Sequence, residues 1–219
     1  MQTRGLLYEE LNNIRRELTL MAARVEEDLG KALAYTREGN DELGKEVKAN
    51  GKIIDALQLK IEDMALVLIA TQQPVARDLR ELVTVFKITS NLERIGDFGI
   101  HLVKTAKKLS GRAPFRSIER IERMAETGQE MLRAASSAYL AQDAAAAREA
   151  AALDDIIDEE HKALTEETLA LMKEKPQLVK AAARLLRLSG YMERLGDHIT
   201  NICEGIIYMT EGRHEELNH

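Results

Sequence analysis

The residues best placed to do chemistry are two carboxylate pairs in near-identical settings. Asn91-Leu92-Glu93-Arg94-Ile95-Gly96-Asp97 returns one hundred positions later as Tyr191-Met192-Glu193-Arg194-Leu195-Gly196-Asp197. Glu and Asp stand four apart in each, so on a helix both project from one side, about one turn apart. A further pair at the same spacing, Asp154 and Asp158, lies upstream of the second copy. If the two helices that carry Asp154, Asp158, Glu193 and Asp197 are neighbours, four carboxylates with no Lys or Arg between them face one another. A hard cation held through oxygen relieves that repulsion. Acids four apart on an exposed helix are also commonplace solvated residues, and it is the recurrence that argues for a site. Glycine inside a long helix costs about 1 kcal/mol against alanine, so Gly96 and Gly196 imply close helix approach or room for a ligand.

The elements that must position these acids belong to a longer duplication. Lys52-Ile53-Ile54-Asp55 recurs as Asp155-Ile156-Ile157-Asp158 at an offset of 103, and Pro74 as Pro176 at an offset of 102. One module of roughly a hundred residues is therefore used twice, with expected bounds 1–112 and 113–219. Val85, Ile88, Leu92, Ile95, Gly99, Leu102, Ala106 and Leu109 step by three and four, and the second copy repeats the stripe from Leu185 to Met209. That is the seam by which helices pack in antiparallel bundles. It places Glu93 and Asp97, and their counterparts, on a flank of the bundle and not in its interior.

Pro74 and Pro176 suit the first position of a helix, where the missing amide is harmless. Gly39-Asn40-Asp41, Gln142-Asp143 and Ser110-Gly111-Arg112-Ala113-Pro114 read as breaks. The expected helices are 5–38, 41–72, 75–110, 116–141, 144–174 and 177–211.

Few prolines, 4% aromatic residues and abundant Ala, Leu, Glu, Lys and Arg favour helix over sheet, so the expected fold is all-α, two antiparallel three-helix bundles. A net charge of −6 without basic clusters argues against direct nucleic-acid binding. Cys203 cannot form an internal disulfide, and its apolar neighbours suggest a packing role. With no apolar run of about 20 residues and no secretion-type leader, a cytoplasmic location is expected. Arg94 and Arg194 can bind an anion, orient a carboxylate, or simply pair with the aspartate three residues on. His101 lies one turn beyond Asp97 with Asn201 as its counterpart, whereas His161, His198, His214 and His219 show no duplicated pattern. Neither a nucleophile with its base nor a phosphate-cradling glycine loop is recognisable.

These residues resemble the PhoU family of phosphate-signalling regulators. The likeness rests on both copies of Glu-Arg-x-Gly-Asp, on Gln72-Gln73-Pro74-Val75-Ala76-Arg77-Asp78-Leu79-Arg80, and on the duplication, and covers almost the whole chain. It implies two three-helix bundles, a homodimer, and regulation of the phosphate ABC transporter and the phosphate-sensing histidine kinase. It also implies surface clusters of iron or zinc held by paired carboxylates on adjacent helices. Carried over by motif, these are Asp55, Glu93 and Asp97 in the first copy and Asp154, Asp158, Glu193 and Asp197 in the second. Where the motif has an acid four residues before Asp55, this chain has Gly51, so the first site is one ligand short unless Glu62, His101 or water supplies it.

The expected function is thus a non-enzymatic adaptor that damps the phosphate-starvation response. A di-iron carboxylate oxidase would want two Glu-x-x-His pairs facing the core, and only Glu211-x-x-His214 fits. A metal-free helical interaction protein, its acidic flank meeting a basic partner, is the remaining alternative.

Overall fold

The computed structural model describes residues 2–109 and 115–218, without side-chain detail for residues 2–4 and 115–116. The described residues form α1 (Gln2–Glu38), α2 (Asp41–Gln72), α3 (Ala76–Ala106), α4 (Phe115–Ala141), α5 (Ala144–Ala151), α6 (Asp154–Glu174) and α7 (Val179–Glu211), with a 3-10 turn at Pro176–Leu178 and no strand. The all-α expectation holds. α1, α2 and α3 pack mutually as one bundle, and α4, α5, α6 and α7 as the other. The stretch 110–114, with the expected join at 112/113, lies outside the described residues.

Local chemistry sets the boundaries. Asn40 caps α2 by accepting from the Glu42 amide at 3.0 Å, and Asp143 caps α5 through the Ala145 and Ala146 amides. Pro176 opens the 3-10 turn as expected, but Pro74 lies two residues ahead of α3. α3 ends at Ala106, its expected last turn relaxing into turns at 107–109.

The clearest departure is in the middle of the second copy. The expected helix 144–174 breaks at Ala152 and Leu153, where the Leu153 amide reaches the Ala150 carbonyl (3.3 Å) and the Ile156 amide the Leu153 carbonyl (3.1 Å). These tighter three-residue links interrupt the helix immediately before Asp154.

The seam is buried as its spacing predicts, from Val85 to Leu102 in α3 and from Leu185 to Met209 in α7. Cys203 is fully buried and its thiol is pushed up to about 12 by that burial, which fits a packing role. Charged clamps cross each bundle. Arg15 forks onto buried Glu81 at 2.6 and 2.7 Å, tying α1 to α3, while Arg120 joins Glu160 and Glu167 between α4 and α6.

The bundles meet where α3 runs along α7 and α1 touches α4. Equivalent positions meet crosswise: Phe98 faces His198 with ring centres 5.6 Å apart, Asn91 Oδ1 pairs with His198 Nδ1 (2.7 Å), and Tyr191 lies 6.0 Å from Phe98. The duplication has thus become a local two-fold relation, bringing both acid-bearing helices to the centre of the molecule.

Candidate metal centre

The second-copy acids lie on facing helices, Asp154 and Asp158 in the first turns of α6 and Glu193 and Asp197 midway along α7. The break before α6 delivers Asp154 onto bare backbone: a β-carbon at Gly196 would stand 1.9 Å from Asp154 Oδ1. This is the reason for a glycine inside α7. Thr200 donates to Asp154 Oδ2 at 3.1 Å, whereas Oδ1 is buried without a hydrogen-bond partner. Burial, followed by the charges of Asp158, Asp197 and Glu193, raises the Asp154 carboxyl to about 7 against the Thr200 hydrogen bond. Asp158, Glu193 and Asp197 are also raised, each chiefly by burial, with the Asp197 charge adding at Asp158 and Glu193.

Asp154, Asp158 and Asp197 line a cavity of about 240 Å³ together with Arg148, Asp155 and Leu217. Among the described residues, no three His, Cys, Asp or Glu side chains converge closely enough to hold an ion as they stand. The donor chemistry nevertheless suits a hard or borderline cation, with crowded anionic oxygens, one of them buried and unsatisfied.

A residue without duplicated pattern in the sequence also belongs to this neighbourhood. His161 follows Asp158 on the same stripe of α6, and its Nδ1 pairs with Ser189 Oγ at 2.7 Å on fully buried Ser189. A positive charge on this ring would favour the ionised forms of both Asp158 and Glu193. The Asp154, Asp158, His161 spacing of four and three was the available signal, and the absence of a first-copy histidine hid it.

The first copy is built differently. Asp55, Glu93 and Asp97 lie on the facing helices α2 and α3, and burial, then Asp97 and Asp55, raises Glu93. At Gly51, however, a β-carbon would stand 2.8 Å from Ile100 Cδ1. Ile100 is the counterpart of Thr200, so an apolar side chain lies where the second copy has a hydroxyl and a carboxylate. Glu62 is engaged through its carboxylate, accepting from Gln58 and Thr89, whereas His101 stacks on Tyr191 with ring centres 4.8 Å apart and keeps a buried Nδ1 without a hydrogen-bond partner. Gly96 is also closely approached, by Ile54 Cδ1 at 3.1 Å from a β-carbon.

The arginines of the motif do not pair with the aspartates three residues on. Arg94 Nε lies 3.6 Å from Glu93, and the Arg194 guanidinium lies over the Phe98 ring at 5.4 Å. Glu211 forks onto Arg148 and accepts from Arg213, which hold its carboxyl down at about 2, and His214 stacks on Tyr208. The Glu211-x-x-His214 pair is therefore at an exposed helix end, away from any bundle core.

The family model described as the PhoU domain matches residues 18–106 and again 121–206. The chain belongs to the PhoU family. It is 31% identical over 217 residues to a phosphate-specific transport system accessory protein PhoU homolog of Clostridium acetobutylicum, covering 99% of each chain. A homolog of the same description from Aquifex aeolicus is 33% identical over 153 residues, covering 70% of this chain and 69% of its own. The crystal structure of PhoU from Pseudomonas aeruginosa superposes with a TM-score of 0.89 at 28% identity, covering 94% of this chain and 99% of that one. The phosphate transport system regulatory protein PhoU from Streptococcus pneumoniae gives 0.89 at 26%, covering 96% and 99%. The two family matches fall one on each bundle, so both acid-bearing helices lie within PhoU domains.

Proposed function

We propose that this PhoU-family chain is a non-enzymatic adaptor that represses the phosphate-starvation response. Its partners in this reading are the ATPase subunit of the phosphate ABC transporter and the phosphate-sensing histidine kinase. The observation that carries the reading is the PhoU match on both bundles, joined to full-length relatives named as accessory proteins of phosphate-specific transport. No helix among the described residues is long and apolar enough to cross a membrane. A homodimer is part of the proposal; the outward face of α2 offers it Leu59, Leu66 and Val67, each about 60% exposed.

In this reading Asp154, Asp158, Glu193 and Asp197 hold iron or zinc, with His161 beside them, and Asp55, Glu93 and Asp97 form a weaker counterpart. The ion would neutralise the acids and tie α6 to α7. Deleting the gene should leave phosphate-starvation promoters active in ample phosphate, and the purified chain should capture the transporter ATPase. Normal repression in a deletion strain lacking any second copy would overturn the adaptor reading.

A further inference from the structure

We propose that the segment Gly212–Asn218 is a strap that gates the acidic cavity of the second copy. The inference rests on the reading of that cavity as a cation site. α7 ends at Glu211, and Gly212, at φ 75, turns the chain back while its amide bonds to the Tyr208 carbonyl at 2.9 Å. The positive φ and the Arg80 guanidinium, 3.3 Å from a β-carbon there, leave little room for another residue.

The returning segment runs antiparallel to α7 and is fastened in order. His214 stacks on Tyr208 with ring centres 4.2 Å apart, Glu215 accepts from Arg148 at 2.7 and 2.9 Å, and the Leu217 amide donates to Glu204 at 2.8 Å. Each step moves about one turn back towards Asp197. The strap thereby brings Leu217 and Asn218 into the wall of the cavity that holds Asp154, Asp158 and Asp197.

Its position and its fastenings together indicate a gate. Leu217 is an apolar side chain, partly buried against the core, set at the mouth of an acid-lined space. Its side chain lines the space beside the carboxylates without offering them a donor. The fastenings are a bidentate ion pair to Arg148, one ring stack and one amide bond, all beyond the end of α7, so the strap can open locally while the bundle helices stay packed. When the strap lifts, Glu215 leaves Arg148, which already lines the cavity and stays held by Glu211 at 3.0 and 3.1 Å, so opening exposes the acids without freeing the guanidinium.

The test follows Zn²⁺ uptake, and release to excess chromogenic chelator, by stopped flow for the wild-type chain and the full-length variants Leu217→Gly and His214→Gly/Leu217→Gly. Both substitutions lie beyond α7, and circular dichroism verifies that the helices persist. A gate predicts that uptake and release both accelerate by about tenfold or more, with equilibrium affinity nearly unchanged. Unchanged rates in a chain that binds zinc overturn the gate. Weaker binding with unchanged uptake assigns the strap a ligand's part and also overturns it. Failure of the wild type to take up zinc removes the underlying cation reading, and the gate with it.

Discussion

Ile100 occupies the ground above Gly51, its Cδ1 lying 2.8 Å from where a β-carbon on residue 51 would stand. At the corresponding place in the second copy, Thr200 donates to Asp154 at 3.1 Å. The two pairs are alternatives. Glycine admits the larger isoleucine in one bundle, while threonine supports a carboxylate in the other, so the loss of the acid and the gain of the apolar side chain form one structural change.

A reciprocal exchange follows from that relation. Gly51→Asp alone should destabilise the chain by about 1–3 kcal/mol, because it overpacks Ile100 and buries a charge without a donor. Adding Ile100→Thr should restore most of the loss and raise the metal bound per chain. Thermal unfolding and elemental analysis of the single and double variants decide this, and a double variant no more stable than the single one would break the pairing.

Gly196→Ala should be worse tolerated than Gly96→Ala. The new methyl would meet Asp154 Oδ1 at 1.9 Å in the first case and the end of the flexible Ile54 side chain at 3.1 Å in the second. Displacing the carboxylate also removes it from Thr200, so Gly196→Ala should cost on the order of 1–3 kcal/mol and reduce zinc binding. Gly96→Ala should do neither to the same degree, and similar losses in melting temperature for the two would contradict the close-approach argument.

The bundle architecture was legible because the stripes from Val85 and from Leu185 keep one period over many turns, and burial follows that period. The paired acids were legible because they recur in register. The break before Asp154 was not, since Ala150, Ala151 and Ala152 are good helix formers and nothing local marks the point where α5 and α6, both packed on α7, part. Ile100 escaped notice because its role is a contact between helices, invisible until Gly51 faces it. His161 has no duplicated counterpart, although its spacing from Asp158 already places it on the same stripe.

Acidity at Asp154 gives a stability profile with a definite sign. Its folded-state value of about 7 lies above the ordinary 3.8, so the folded chain holds the proton more tightly than the unfolded one. Without metal, stability should therefore fall as pH rises from about 4 through 7 and level off above, by roughly 1–2 kcal/mol after allowance for solvent screening. The raised Asp158, Glu193 and Asp197 slope the same way from their own ordinary values. Asp154→Asn should flatten the upper part of the profile. Denaturant unfolding between pH 5 and 8 in the presence of a chelator measures it, and a wild-type stability that increases across this range would reverse the assignment.

Removing one aspartate from each copy separates the two sites. Asp197 works beside Asp154, whose carboxylate sits on Gly196 with an unsatisfied oxygen, whereas Asp97 works beside a position closed by Ile100. Ligand charge sets affinity over decades in oxygen-rich sites, so the second copy should hold the ion more tightly. Under limiting iron or zinc, Asp197→Ala should release more metal than Asp97→Ala after mild dialysis. Both aspartates lie off the buried seam, and helicity should survive either change, with Asp197→Ala relieving part of the repulsion that raises Asp158 and Glu193. That relief gives a second readout: the metal-free Asp197→Ala chain should be no less stable than wild type above pH 7. Equal metal loss from both variants, or a wild type that carries no metal when purified without chelators, would sink the asymmetry.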